Sequence, residues 1–207
     1  MQILKLIGGM DMNKNLFIAG QTGSGKSYHV KTVILPDIIA NDPRFRLIVD
    51  YKNEYDGDFV CVSKMTSPAK YDQVYRYAVR HKKNQAVIKM DRYDPEYFDV
   101  LFSYLNQCRD KILIFDEASF YFEDLKRGKI PFDTKRFFRS ATLQHNQSHN
   151  VILITQSPQD IPKMILGQFQ DGLIFYLKPF QLEYLYKAAF IPRADYDFSE
   201  KYKFYKV

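Results

Sequence analysis

The sequence has no tryptophan, only two cysteines, and no apolar run of about 18 residues that could span a bilayer. Cys61 and Cys108 form neither a disulfide framework nor a metal-ligand spacing, so we expect two buried free thiols. The short apolar start of the chain has no charged region before it and does not fit a signal peptide. These absences exclude a disulfide-rich secreted domain and predict a chain with no membrane-spanning helix.

The composition is that of a globular protein. Of the 207 residues, 46% are hydrophobic and 26% are charged, which excludes a largely disordered chain. We expect a single domain over residues 1–207, with a core at about 15–180 and a C-terminal helix and strand at 180–207. Sixteen tyrosines and 17 phenylalanines predict a densely packed interior.

Positive charge is concentrated in one segment. The formal net charge is +6, and residues 64–92 hold eight basic and two acidic residues, which equals that whole surplus. Such a segment predicts a polyanionic partner such as DNA, and a solvated helix face is the alternative. The candidate DNA-binding residues here are Arg76, Arg80, Lys82 and Lys83. The four histidines show no metal-ligand spacing, and we expect them at the surface.

Short apolar runs alternate with segments of helical period. The predicted strands are 16–19, 45–50, 59–62, 86–90, 112–115, 151–154, 173–176 and 203–207. The predicted helices are 26–40, one around Tyr71 to Ala78, one around Tyr97 to Cys108, and 180–189. Buried strands separated by helices are typical of an α/β fold, with a mostly parallel central sheet and helices on both faces.

A glycine-rich motif follows the first predicted strand and begins a helix. Its residues are Gly20, Gln21, Thr22, Gly23, Ser24, Gly25, Lys26 and Ser27, which fit the P-loop pattern GxxxxGK[ST]. The backbone N–H groups of such a loop cradle phosphates, Lys26 reaches the β- and γ-phosphates, and Ser27 ligates Mg²⁺. We include the following residue, Tyr28, in the predicted ATP site. A plain glycine-rich turn is the alternative.

Two further strands end in polar side chains that suit nucleotide hydrolysis. Asp116 at the end of the strand 112–115 is a predicted ligand of the Mg²⁺ shell, and Glu117 is the predicted base for an attacking water. Gln156, after the strand 151–154, is a predicted sensor of the γ-phosphate or of that water. The second carboxylate favours a hydrolase over a kinase. A solvated acidic turn and an ordinary loop glutamine are the alternatives.

Four segments in order resemble the HerA/FtsK superfamily of DNA-pumping ATPases. They are the P-loop, Asp50-Tyr51-Lys52-Asn53-Glu54-Tyr55, the strand ending in Asp116-Glu117, and Ile154-Thr155-Gln156. The resemblance covers about residues 15–180 and implies a P-loop NTPase domain of the RecA/HerA-FtsK type. With only about 14 residues before the first strand, the chain is expected to be a bare motor core. Such a core is similar to the genome-packaging ATPases of icosahedral viruses with internal membranes, archaeal ones included.

That resemblance implies a ring, a hexamer or a pentamer, with ATP at the subunit interfaces and double-stranded DNA in the channel. It also implies docking at a capsid vertex or portal, in the host cytoplasm or in the virion. The sequence departs from the pattern of this superfamily just before the predicted strand 151–154, which ends at the candidate sensor Gln156 and is called the sensor strand. No arginine or glycine occurs there, at 144–150. The candidate arginine fingers are therefore Arg92 and, second, Arg139, although each could be an ordinary surface arginine. The predicted channel-facing residues are Lys126, Arg127 and Lys129.

The leading hypothesis is an ATP-hydrolysing DNA translocase that packages a viral genome. A phosphotransferase acting on a small molecule fits the chain length but not the second carboxylate. A viral assembly or extrusion ATPase that does not package DNA is another alternative. A basic architectural protein that holds nucleotide without hydrolysing it is the last.

Overall fold

The computed structural model of the chain describes residues 15–56, 60–61, 67–89, 95–120, 122, 130–143, 149–169, 171–188, 190–193, 196–198 and 203–207. Within these ranges, eight strands form one sheet. They are β1 (Leu16–Ala19), β2 (Phe45–Asp50), β3 (Val60–Cys61), β4 (Gln85–Lys89), β5 (Lys111–Phe115), β6 (Asn150–Thr155), β7 (Asp171–Ile174) and β8 (Tyr205–Lys206). The strand order is β3-β4-β2-β5-β6-β1-β7-β8. All neighbouring pairs are parallel except β7 and β8, which are antiparallel.

Strand β1 lies between β6 and β7, and the three strands end together. Ala19 is level with Thr155 of β6 and with Ile174 of β7. Both β1 and β6 are buried along their whole length, because helices cover both faces of the sheet. The carboxyl ends of these central strands therefore form one edge at which loops from several strands meet.

Helices connect most of the parallel strands. The first, α1, consists of Lys26–His29, a π-helical turn at Val30–Ile34, and Leu35–Asn41. The others are α2 (Pro68–Arg80), α3 (Pro95–Leu105), α4 (Phe132–Leu143), α5 (Lys163–Leu166) and α6 (Pro179–Lys187). Both α2 and α6 begin with proline, which lacks the N–H group that a first helical turn leaves unpaired.

The π-helical turn in α1 precedes Pro36. A proline inside a helix cannot donate to the carbonyl four residues earlier, and its ring collides with that carbonyl. The turn widens the helix at this point, and the N–H of Leu35 donates to the carbonyl of Val30, five residues back. The wider turn thus lets α1 continue through Pro36 instead of ending there.

The core has one part on each face of the sheet. Ile112 and Ile114 of β5 point to the face covered by α1, where they join Val30 and Ile38. The alternate residues of β5, such as Phe115, point to the other face and join Phe102. The rings of Phe102 and Phe115 are 5.9 Å apart, and Phe102 also contacts Phe137 and Phe138. The aromatic residues thus fill the interior as expected.

The structure confirms the α/β fold with a mostly parallel sheet and helices on both faces. In the part of the chain that the structure describes, no helix combines the length and apolar character needed to cross a membrane. Cys108 is a free, half-buried thiol.

The expectation that the histidines lie at the surface is wrong for His29 and His149, each only 7% exposed. The ring of His149 accepts a hydrogen bond at Nδ1 from the N–H of Lys111, at 3.2 Å. Its Nε2 lies 3.0 Å from the carbonyl oxygen of Leu105 and 3.1 Å from that of Cys108, to which a neutral ring can donate. The ring therefore closes the C-terminal end of α3 against the start of β5. His145 lies outside the described residues.

Candidate active site

The glycine-rich loop connects β1 to α1, as the sequence predicts. Gly23 and Gly25 have left-handed backbone conformations, with φ of 77° and 96°, which glycine adopts without steric cost. A Cβ atom added at Gly20 would lie 2.6 Å from both the Cβ of Phe175 and the Oγ of Ser24. Glycine is therefore required at positions 20, 23 and 25 for different reasons, one steric and two conformational.

The neighbouring strands hold the loop in place. The N–H of Gly20 donates to the carbonyl of Thr155 at 3.1 Å, and that of Gln21 donates to the carbonyl of Tyr176 at 2.8 Å. Because Thr155 ends β6 and Tyr176 follows β7, the loop is anchored on both sides of β1. A loop so fixed at the start of a helix is preorganised to bind an anion.

The lysine of the motif is buried beneath the loop. Lys26 is 4% exposed, and burial lowers the pKa of its ammonium group, although the carboxylate of Glu117 acts in the opposite direction. Its Nζ lies 3.5 Å from Oε1 of Glu117. A buried cation whose ion-pair partner in the described part of the chain lies 3.5 Å away is well suited to receive the charged oxygens of a triphosphate.

Asp116 is a buried carboxylate at the end of β5. It is fully buried, and among the described residues neither of its carboxylate oxygens has a hydrogen-bond partner. Burial raises the pKa of Asp116 to about 7, and the nearby carboxylates of Glu117 and Glu54 act in the same direction. Two unpartnered buried oxygens are costly unless a ligand satisfies them.

These oxygens fit the hydration shell of Mg²⁺, which prefers one or two carboxylates plus phosphate and water ligands. Ser27 is half-buried in the first turn of α1, where its hydroxyl could supply a further ligand. Across the described ranges, no three His, Cys, Asp or Glu side chains are grouped so that they could hold a metal ion. The donor set therefore suits Mg²⁺ bound together with a nucleotide.

Glu117 occupies a strained backbone position. Its φ is 52°, in the left-handed region that residues with a side chain rarely adopt. The strained conformation directs the carboxylate toward the P-loop lysine and the sensor strand. Oε1 of Glu117 accepts hydrogen bonds from Nε2 of Gln156 at 2.6 Å and from Nζ of Lys52 at 2.7 Å. Strain of this kind is concentrated at functional sites.

Gln156 connects the sensor strand to the other parts of the site. While its Nε2 donates to Glu117, its Oε1 accepts a hydrogen bond from the hydroxyl of Thr22 in the P-loop. The side chain thus lies between the candidate water-activating carboxylate and the phosphate loop. The role of Gln156 as a sensor of the γ-phosphate or of the attacking water stays a prediction.

A second glutamine joins the P-loop to α6. Oε1 of Gln181, which is 2% exposed, accepts from Nε2 of Gln21 at 2.6 Å and from the N–H of Lys178 at 3.0 Å. Its Nε2 donates to the carbonyl of Gln156 at 2.9 Å. Gln181 therefore caps the start of α6 and also supports the P-loop. Sequence reasoning missed this residue, because a helix-capping glutamine has no nucleotide-site signature.

Lys52 was also missed as a site residue. It lies in a turn after β2 in which Asp50 accepts the N–H groups of Glu54 at 3.1 Å and of Tyr55 at 2.8 Å. This turn directs Lys52 toward Glu117, because β2 and β5 are adjacent parallel strands. The sequence does contain a signal for Lys52, because it is a charged residue just after a strand whose carboxyl end lies at the edge of the sheet where ligands bind. Glu54, in the same turn, forms an ion pair with Lys31 of α1, in which Oε2 of Glu54 lies 3.3 Å from Nζ of Lys31.

The exposed positions of the predicted nucleotide site are Thr22, Gly23 and Tyr28, and Tyr28 is 71% exposed. Ser24 is buried, and its Oγ has no hydrogen-bond partner within the described part of the molecule. The loop therefore presents both backbone and side-chain donors that a phosphate could satisfy.

The predicted basic residues fall into two groups, those that the structure does not describe and those at the C-terminal end of α2. Arg92, Lys126, Arg127 and Lys129 lie outside the described residues, as does the side chain of Arg139, which belongs to α4. Arg76, Arg80 and Lys82 are exposed, and Arg76 pairs with Asp72 at 2.5 Å. Because α2 leads into the amino end of β4, its C-terminal basic residues lie at the sheet edge opposite the P-loop.

Together, the fold and these side chains define a P-loop ATPase. The P-loop, the acidic pair after β5 and the glutamine after β6 lie at one edge of a parallel sheet. Residues 10–128 match the family described as the central domain of helicase HerA, and the chain belongs to that family. The resemblance to the HerA/FtsK superfamily is thereby confirmed. No curated protein matches the sequence.

Solved structures share the fold. B204, described as the genome packaging NTPase of Sulfolobus turreted icosahedral virus 2, in complex with AMPPCP, is 22% identical with a TM-score of 0.64, covering 87% of this chain and 84% of that chain. B204, described as the DNA-packaging ATPase of Sulfolobus Turreted Icosahedral Virus, is 21% identical with the same TM-score and coverage. EssC (ATPases 2 and 3) from Geobacillus thermodenitrificans is 14% identical with a TM-score of 0.53, covering 91% of this chain and 36% of that chain.

Proposed function

We propose that the chain is an ATP-hydrolysing DNA translocase that packages a double-stranded viral genome into a preformed capsid. The observation that carries the proposal is the meeting of Lys26, Glu117 and Gln156 beside the P-loop. The match to the HerA family supports a DNA motor, and the likeness to B204, described as a genome packaging NTPase, supports the packaging role. The chain acts as a single motor domain.

Nucleotide binding begins with the phosphates. The N–H groups of the loop and the start of α1 surround the β-phosphate, and Lys26 moves from Glu117 to the β- and γ-phosphates. The residues in contact with ATP are Gly20, Gln21, Thr22, Gly23, Ser24, Gly25, Lys26, Ser27 and Tyr28. Ser27 and Asp116 would hold Mg²⁺, which would supply positive charge to offset the charge of the phosphates.

Hydrolysis then uses the strained carboxylate. Glu117 accepts a proton from a water whose oxygen attacks the γ-phosphorus, while the bond from that phosphorus to the bridging oxygen of ADP breaks. Gln156 orients the water or senses the γ-phosphate from its place between Thr22 and Glu117. The protein takes little part in the covalent chemistry of this reaction. It accelerates hydrolysis mainly by positioning the reactants and by stabilising charge.

The transition state requires further positive charge. We place it on an arginine of the adjacent subunit in a hexameric or pentameric ring, Arg92 first and Arg139 second. ATP then lies at the subunit interface, so hydrolysis in one subunit depends on the position of the next.

DNA binding is assigned to basic side chains that contact phosphates without reading sequence. Lys126, Arg127 and Lys129, which come after β5 in the sequence, face the channel in this proposal. Arg76, Arg80, Lys82 and Lys83 form a second group at the opposite sheet edge. The ring docks at a capsid vertex or portal in the host cytoplasm or on the virion.

The test compares the wild-type chain with Glu117→Gln and, as a control, Glu183→Gln, which alters a carboxylate on the outside of α6. Double-stranded DNA should raise the ATP hydrolysis rate of the wild type and of the control. Glu117→Gln should bind ATP but hydrolyse it at least about 100-fold more slowly, because a general base contributes that much or more.

Each outcome separates one part of the proposal. Wild-type turnover by Glu117→Gln would refute the assignment of the base. A hydrolysis rate that does not change when DNA is added would refute the assignment as a translocase. Phosphorylated nucleoside products would favour a phosphotransferase instead. A mass measurement with a non-hydrolysable ATP analogue and duplex DNA tests the ring.

A further inference from the structure

Lys52 contacts the candidate base, and the mechanism above gives it no role. Its Nζ lies 2.7 Å from Oε1 of Glu117, closer than the Nζ of Lys26 at 3.5 Å. The side chain of Lys52 is 33% exposed, whereas that of Glu117 is 9% exposed. The side chain of Lys52 therefore extends from the solvent-facing turn after β2 to the carboxylate beside the P-loop.

Three donors converge on a single oxygen. Oε1 of Glu117 lies within 3.5 Å of two ammonium groups and also accepts from Nε2 of Gln156 at 2.6 Å. All three contacts are made by one of the two carboxylate oxygens of Glu117. They hold this carboxylate beside Lys26, Lys52 and Gln156.

Two cations compete for one carboxylate in this arrangement. Lys52 and Lys26 both lie beside the same oxygen, and the positive charge of Lys52 disfavours the charged form of Lys26. A γ-phosphate brings more negative charge and three further acceptor oxygens to the same place. Since Lys26 is the P-loop lysine, the ammonium group next to it is also within reach of the terminal phosphate.

Resting on the proposed function, we propose that Lys52 is a second lysine ligand of the γ-phosphate. In the chain without nucleotide it pairs with Oε1 of Glu117. When ATP binds, Lys52 moves from this oxygen to the γ-phosphate. ADP has no γ-phosphate, so Lys52 returns to Glu117 after phosphate leaves. The turn held by Asp50 fixes the backbone from which the side chain swings.

The experiment measures the affinities of Lys52→Met for ADP and for a non-hydrolysable ATP analogue with an intact γ-phosphate. The expected result is that analogue binding weakens about tenfold or more, while ADP binding stays within about twofold, because a charge-assisted contact is lost only with the γ-phosphate. Lys52→Arg should recover part of the analogue affinity. Lys187→Met, which removes an exposed lysine paired with Glu183, serves as the control.

Several outcomes overturn the proposal. Equal weakening of both ligands would indicate damage to the P-loop, and unchanged affinities would leave Lys52 without a phosphate contact. If the wild type binds neither ligand, this inference and the proposed function both fail. If the wild type binds the analogue and DNA leaves hydrolysis unchanged, the translocase fails while the role of Lys52 is judged by the affinity ratio alone.

Discussion

Replacing His149 with glutamine is expected to weaken the fold at neutral pH. The buried ring holds the N–H of Lys111 and faces the carbonyl oxygens of Leu105 and Cys108. A glutamine side chain is too flexible to satisfy all three groups, and each buried hydrogen bond lost costs about 1 kcal/mol. The free energy of unfolding should therefore fall by about 1–2 kcal/mol at about pH 7.5.

The same substitution should remove part of the acid sensitivity of the protein. Burial lowers the pKa of His149 below its ordinary value of 6.5, with the charge of Lys111 acting the same way and backbone contacts and Asp110 opposing it. The unfolded chain takes up a proton as the pH falls through about 6.5 while the folded chain does not, so acid favours unfolding. At about pH 5.5, this loss is at most about 1.4 kcal/mol for one histidine.

Urea unfolding of the wild type and His149→Gln at both pH values measures the effect. His81→Gln, which alters an exposed histidine, is the matched control. Burial also lowers the pKa of His29 and raises that of Asp116, but both groups are present in all three proteins and cancel in the comparison. If His149→Gln loses as much stability between the two pH values as the wild type, the buried neutral ring is not a source of acid sensitivity.

Two other substitutions, at Asp116 and at Gly20 of the P-loop, test the predicted nucleotide site. Without divalent cations at about pH 8, Asp116→Asn should be more stable than the wild type by roughly 2–4 kcal/mol, because an ionised carboxylate without a partner is replaced by a neutral amide. Urea titrations should show this gain shrinking below about pH 7, where the wild-type carboxyl is protonated in the folded state; a gain that does not depend on pH would contradict it. Gly20→Ala should cost about 1–3 kcal/mol and abolish nucleotide binding, since its Cβ would meet Phe175 and Ser24 at 2.6 Å. Gly167→Ala is the control, because its added Cβ would lie 3.4 Å from the nearest atom. Thermal melts that showed the two variants to be equally stable would contradict the prediction.

The main elements of the fold follow from local patterns. Runs such as 112–115 are continuously apolar because strands covered on both faces have no solvent side. The P-loop is equally local, since eight consecutive residues specify its turn and the helix that follows. Asp116, Glu117 and Gln156 are predicted site residues because polar residues directly follow buried strands, and parallel strands end at a common edge.

What the sequence did not reveal depends on contacts between distant segments. The contacts of Lys52 with Glu117 and of Gln181 with Gln21 join residues 65 and 160 positions apart. The buried position of His149 follows from its packing between α3 and β5, whereas its neighbours in sequence are polar. The π-helical turn needs Pro36 and a helix stable enough to continue past it.

The position of Gln181 has a mechanical consequence. One amide group both starts α6 and braces the loop that grips the phosphates. When the P-loop shifts, the first turn of α6 must therefore move with it or lose its hydrogen bonds. A single buried amide therefore couples α6 to the nucleotide site, so a displacement at one end of this contact is felt at the other.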